Sequence, residues 1–463
     1  MKDVISNNRG QLLKWLITVL IPLAVYFIPL NEFYTADLRT FFMITIFVIL
    51  LVAFEFFDVL VPALLLQTLY LLSGIVPVEV AYGSWSNTTV WMILGALILA
   101  NVLEECGLLQ RIAYWCINKC GGTFTGTLYG IFLTGIVIST ITFGNGFIIM
   151  VTMAYGVCLA MNLKKSTASA LVCFMGMLGG ETTCCFIYNP GYLSLGVAGI
   201  QQFIPDFAVN WYTMLIYQWP LLVLCLLVIW LFSKMYKTKD ISFDGGKEYF
   251  RKVYADLGPM TKKEKKALVI LAILMIYLVT CPIHGFSDAY GFMLIPYLLF
   301  VPGISVGSVE TIKKTNFSII FFIASCFSIG TVGSALGVGD LISNLVSPML
   351  AGKGSLFSLL IMMTFGVFAN LFMTPFAMMA GLSASFAQVA IDIGINPLAS
   401  IMTLMTATDM VFFPYEVAPY LVVYGFGLIS MKDFITMHGL KTILTYIFFA
   451  AVMYPYWTFL GFI

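Results

Sequence analysis

Apolar residues in this chain come in long unbroken runs separated by short polar turns. Trp15–Leu30, Leu38–Phe54 and Val59–Ile75 follow closely on one another, and a fourth run starts at Thr88 and closes near Glu104–Gly107. Each can cross roughly 30 Å of hydrocarbon as a helix rising about 1.5 Å per residue. The pattern predicts membrane helices. The next run, Thr123–Asn162, is much longer, and its middle is polar: Ser139-Thr140-Ile141-Thr142-Phe143-Gly144-Asn145-Gly146. Lys119 precedes it and Lys164–Lys165 follow it. Basic residues at both ends put both ends in the cytoplasm. The run then reads as a re-entrant hairpin, with two ordinary helices joined by a tight external turn as the alternative.

Two later runs carry residues that a continuous membrane helix has no use for. Gly176–Gly196 holds Glu181, two threonines, Asn189, Pro190 and several glycines; Met405–Gly427 holds Asp409, Glu416, Pro414 and Pro419. Glycine and proline loosen the backbone, and the freed N–H and C=O groups need partners that lipid cannot supply. A carboxylate at mid-membrane costs about 2.5–3.5 kcal/mol unless it faces a wet cavity or a partner. Both runs are predicted as broken helices lining a polar site, 166–200 in the first half and 398–428 in the second. Two interrupted helices at matching places in two halves point to the binding site of a transporter.

Residues 234–266 are the one long polar stretch, and ten of them are Lys or Arg. They read as a cytoplasmic linker beside anionic lipid, not as a nucleic-acid site. The linker divides a first repeat, 1–233, from a second, 267–463. Trp211–Phe232 precedes it, and Ala267–Ile283, Ala289–Val301 and Ile319–Leu336 follow it. Ser355–Ile391 is the second hairpin, with Asn370–Pro375 at its tip, and Lys441–Phe462 is the last helix. Glu105-Cys106-Gly107 matches Ala335-Leu336-Gly337, and Ser169-Ala170 matches Ala399-Ser400, at a nearly constant offset of about 230 residues, as an internal repeat requires. With about eleven crossings and inverted halves, nearly all of the 23 Lys and Arg fall on the cytoplasmic side, Lys432 and Lys441 among them. The N-terminus is then cytoplasmic and the C-terminus external.

Composition agrees with this reading. Hydrophobic residues make up 61% and charged residues 10%, against roughly 25% charged in soluble domains. The expected fold class is an all-α polytopic membrane protein with two re-entrant hairpins in an inverted repeat. The ten cysteines lack metal-ligand spacing and read as small buried hydrophobes. There are two histidines; His284 falls in a loop, and His438 is assigned to the cytoplasmic start of the last helix. No nucleophile motif accompanies the carboxylates, so an enzyme is not expected, and no cofactor is implied.

The layout resembles the divalent anion/sodium symporter family, the citrate and dicarboxylate carriers. The points of likeness are the two opposed hairpins, two unwound helices, a basic mid-chain linker and a helix-four ending close to Leu-Glu-x-x-Gly-Leu. The likeness covers nearly the whole chain and is closest over Ala407–Gly425, where Pro414 and Pro419 fall in the family's proline-bearing closing segment. It implies an elevator-type carrier and a homodimer, with a scaffold of early helices and a mobile domain of hairpins and broken helices. It also implies a di- or tricarboxylate-like substrate. This chain departs from the family's Ser-Asn-Thr at both hairpin tips and reads Val417-Ala418-Pro419-Tyr420 where the family has Thr-Pro-Pro-Asn.

Helix ends facing the midplane hold ions, N-termini for anions and C-termini or unwound carbonyls for cations. The candidate substrate ligands are Ser139, Thr140, Asn145, Asn370 and Thr374, with Glu416, Pro190 and Pro419 beside them. Glu181, Thr182, Asp409, Gly179 and Thr142 are the candidates for coupling to sodium or protons, and Ser139, Asn145, Asn370 and Asp409 are possible sodium ligands. Neither site contains a Lys or Arg on this reading. A channel and a cation/proton antiporter are the other functions the pattern admits.

Overall fold

The computed structural model describes residues 2–463 apart from 55, 59, 121–122, 162, 239–245, 316, 339–340, 342–343, 345–347, 351, 372–373, 418–419, 421–422 and 425. The described residues form helices and no strand. In so apolar a chain the backbone bonds to itself, because lipid offers no donor or acceptor. The chain divides into two compact units: Met1–Val90, Ser194–Ala208 and Asn316–Leu404 form unit 1; Trp91–Leu193, Val209–Thr315 and Met405–Ile463 form unit 2. Each unit draws on both sequence halves.

Unit 1 contains helices α1 (Lys2–Tyr26), α2 (Ala36–Ala53) and α3 (Leu60–Leu72). The stretch predicted as the second hairpin is also here, as two helices (Ser355–Asn370 and Pro375–Asp392), together with the helix Phe317–Ala335. Leu38, Phe41, Leu66, Tyr70 and Val332 make its core. Buried polar groups are paired across it: Gln67 Nε2 donates to Ser84 Oγ at 3.0 Å, and Ser328 Oγ to the Ala81 carbonyl at 2.7 Å.

Unit 2 begins with the pair α4 (Thr88–Glu105) and α5 (Leu108–Cys120), bent by 70°. Gly107 at the bend has φ +85°, a left-handed conformation that glycine adopts without strain. Helices α6 (Phe124–Thr142) and α7 (Phe147–Ala160) form the first hairpin. Its tip is left-handed at Phe143 and Gly144, with φ 53° and 85°. Helix α8 (Thr167–Gly180) starts on a capping box formed by Ser166 and Ser169, and α9 is Pro190–Gln201, of which residues from Ser194 onward belong to unit 1. The Thr167–Gln201 segment is buried over its whole apolar window, whereas Met431–Phe459 is 39% buried. The polar linker carries a helix, Gly246–Asp256, and its end is held by Arg111, whose Nε lies 2.7 Å from Glu264 and whose Nη1 bonds the Gly258 carbonyl at 2.8 Å.

The last helix differs from its predicted extent. It runs from Met431 to Phe448 and continues through a π turn and a short helix to Phe459. Ser430 caps it, accepting from the Asp433 amide at 3.1 Å, and a capped N-terminus fixes where a helix begins. Lys441 and His438 therefore lie well inside the helix and are buried, 2% and 1% exposed. They were expected at its cytoplasmic start.

Candidate functional site

The break between α8 and α9 has a simple local cause. Gly176, Gly179 and Gly180 let α8 approach its neighbours closely, and a Cβ on Gly135 of α6 would stand 2.4 Å from the Gly179 Cα. After Gly180 the chain tightens into a 3₁₀ turn, Thr182–Cys185. It re-enters a helix at Pro190, whose missing N–H is no loss at a first helical position. Asn189 caps that helix, its Oδ1 accepting from the Tyr192 amide at 3.2 Å. The hairpin tip lies against this break: a Cβ on Gly144 would come within 2.6 Å of Asn189 Nδ2, and Cys184 Sγ points at the Gly144 carbonyl, 3.5 Å away.

Three elements meet at the broken helix. Asp409 directly follows the helix Pro397–Thr408. Lys441 Nζ sits 2.7 Å from Asp409 Oδ1, with the lysine and aspartate side chains 3% and 8% exposed. The same ammonium donates to Thr182 Oγ1 at 2.9 Å and to the Asp409 carbonyl at 3.0 Å. Thr182 in turn donates to Asp409 Oδ1 at 2.8 Å. An ammonium has three donors, and here each has an oxygen. Glu181, the preceding residue, accepts from the Tyr192 hydroxyl at 2.9 Å.

The predicted residues fall into distinct groups. Glu181, Thr182 and Asp409 belong to this buried cluster. Ser139 stands one layer away, its Oγ 2.7 Å from Thr183 Oγ1, and Gly179 offers its carbonyl to Thr183 at 2.8 Å. Thr140 is exposed and bonds back to the Ile136 carbonyl at 2.7 Å, and Thr142 bonds back to Ile138 at 2.8 Å. Asn145 bonds the Thr142 carbonyl at 3.1 Å. Hydroxyls at helix ends commonly close on their own turn in this way. Glu416 also bonds locally: Oε1 accepts from the Phe412 and Phe413 amides at 3.0 and 2.7 Å. Its Oε2 is buried without a hydrogen-bond partner among the described residues. Asn370 and Thr374 lie in unit 1, at the facing ends of the second hairpin's helices. Unit 1 also has a half-open pocket of about 230 Å³ lined by Ser84, Asn87, Gln202 and Thr331, and neither Asn370 nor Thr374 lines it. Pro190 is the first residue of α9, and Pro419 lies outside the described residues.

The expectation that no basic residue enters the site is corrected by Lys441. The charge count places it instead at the cytoplasmic start of the last helix, Lys441–Phe462. The available signals were the Ser430–Asp433 spacing, which marks a helix start, and the apolar run on both sides of the lysine, since an ionisable group in such a run marks a functional site by default. Tyr192, the donor to Glu181, is not among the sequence candidates, and Asn189 is named there in the polar run without a role; its cap follows from a helix start at Pro190. His438, one turn before Lys441, stacks on Phe434 at 4.3 Å between centroids, with Phe174 and Tyr420 at 4.9 and 5.3 Å.

Residues 9–463 match the model of the sodium:sulfate symporter transmembrane region. Among curated proteins, the sodium-dependent high-affinity dicarboxylate transporter 3 of Caenorhabditis elegans is 22% identical, covering 86% of this chain and 80% of that one. The L-tartrate/succinate antiporter of Escherichia coli is 19% identical over 76% of this chain and 75% of its own length. Among solved structures, the YdaH transporter of Alcanivorax borkumensis superposes with a TM-score of 0.59 at 14% identity, covering 83% of this chain and 88% of that one. MtrF of Neisseria gonorrhoeae, described as one of a class of antimetabolite efflux pumps, gives 0.59 at 12% identity over 96% and 93%. At such identities the structural likeness concerns the fold.

Proposed function

The chain belongs to the sodium:sulfate symporter family, and from that premise we propose that it is a secondary active transporter of a small organic anion of di- or tricarboxylate type. The observation that carries this reading is the buried cluster at the α8–α9 break. At the unwound turn of the long apolar segment Thr167–Gln201, the buried Asp409–Lys441 ion pair stands with a second carboxylate, Glu181. Such groups are costly in lipid and are retained where a substrate or ion must be handled. The dicarboxylate and tartrate/succinate transporters among the relatives support the substrate class.

The finer features of the proposal come from the sequence pattern and the family likeness. They are an inverted repeat, an elevator motion of the hairpins and broken helices against a scaffold, a homodimer, and coupling to sodium or protons. The substrate ligands in this reading are drawn from the hairpin ends, Ser139 and Asn145 in the first half and Asn370 and Thr374 in the second, with Glu416 beside the second break. The cytoplasmic membrane is the proposed location, with the N-terminus and the linker inside and the C-terminus outside.

Uptake of radiolabelled succinate, tartrate or citrate into proteoliposomes tests the function. A sodium or proton gradient, or unlabelled dicarboxylate inside the vesicle, is expected to drive accumulation severalfold above that in protein-free vesicles. If a cation gradient moves protons while no organic anion accumulates, the chain is a cation/proton antiporter and the proposal fails. Topology has its own check. Lys252 is exposed on the linker helix, so Lys252→Cys should react with an impermeant maleimide in inverted vesicles and not in intact cells. Labelling from outside would overturn the assigned orientation.

A further inference from the structure

The three oxygens around Lys441 Nζ are a carboxylate, a backbone carbonyl directly after a helix C-terminus, and a hydroxyl on an unwound turn. Hard cations are held by this kind of donor set. The C-terminal end of a helix adds negative potential, and unwound carbonyls in transporters coordinate sodium. In this protein the cage already contains a cation, and that cation is tethered to the last helix. It uses all three of its donors on the cage, so none is left to receive a substrate carboxylate.

We propose that Lys441 is a built-in cation that fills the oxygen cage of Asp409 and Thr182, so that Asp409 takes no sodium ion from solution. The inference deepens the transport reading above and rests on it for its meaning. Any sodium coupling then works through ligands other than Asp409. Removal of the lysine side chain converts the cage into a sodium site, because Asp409 Oδ1, the Asp409 carbonyl and Thr182 Oγ1 are left facing one position with no cation in it, the Thr182–Asp409 hydrogen bond still holding the oxygens together.

The test is thermal unfolding of the purified full chain in detergent, in sodium chloride against choline chloride at equal ionic strength. Wild-type protein is expected to show no sodium-specific rise in melting temperature that Asp409→Asn removes. Lys441→Ala is expected to melt lower in choline and to regain several degrees in sodium, and Lys441→Ala combined with Asp409→Asn to lose that gain. Lys441→Gln, neutral and closer in length, is measured in parallel in case the alanine variant is not recovered from choline; recovery of either variant only in sodium supports the proposal. Equal melting of both variants in the two salts overturns it, as does a sodium-specific rise in wild type that depends on Asp409. If neither variant is recovered in either salt, the wild-type comparison with Asp409→Asn decides. Because no transport is measured, a wild type that fails to accumulate anions would sink the proposed function and leave this result standing.

Discussion

Lys441→Met, in sodium-free buffer, is expected to destabilise unit 2 by about 3–5 kcal/mol, the usual cost of removing one partner of a buried ion pair. The methionine keeps most of the apolar stem, so the loss comes from Asp409. Its carboxylate stays buried beside Thr182 and Glu181 with no cation to face. Asp409→Leu is expected to cost a similar amount, since it strands the ammonium instead. The combination Asp409→Leu with Lys441→Met should cost much less than the two added together, because a buried pair replaced by apolar groups of like volume is often near neutral. A double-mutant cycle on thermal or denaturant unfolding in detergent measures the coupling. Additive effects would mean that the two side chains do not depend on each other, against the 2.7 Å contact between them.

The second large effect is expected at Gly135. In a helix, alanine is worth about 1 kcal/mol over glycine, yet here the sign reverses. The added Cβ would stand 2.4 Å from both the Cα and the carbonyl oxygen of Gly179, and backbone atoms cannot swing aside as a side-chain tip can. α6 and α8 would have to part, stretching the 2.7 Å Ser139–Thr183 contact one turn along. Overpacking of this kind costs typically about 1–3 kcal/mol, and Gly135→Val should cost more than Gly135→Ala. Gly156 in α7 is the control, because nothing lies within 4 Å of a Cβ built there. Gly156→Ala should therefore be neutral or stabilise by up to about 1 kcal/mol. Thermal unfolding of the three variants checks the order, and a more stable Gly135→Ala would contradict the close helix packing.

Composition and the length of the apolar runs determined the class of this protein. With 10% charged residues the chain has no means of covering a water-facing surface. Local rules also marked the break after α8. Glycines that permit close approach, an Asn cap and a proline at the first helical position act through neighbours in sequence, so Gly180, Asn189 and Pro190 were legible there. The start of the last helix was equally local, written in Ser430 and Asp433, although charge counting misplaced it.

Only the tertiary structure decided which polar residues work together. Thr140 and Thr142 have the same composition signal as Thr182, yet the first two close on their own helix and the third faces an ion pair. Lys441 finds one partner 32 residues back, at Asp409, and another at Thr182, 259 residues back. No periodicity or cap connects positions so far apart. Their meeting depends on helix packing, and a lysine's neighbours, not its place in the sequence, determine whether it lies in the cytoplasm as a topology signal or in the membrane as a counter-ion.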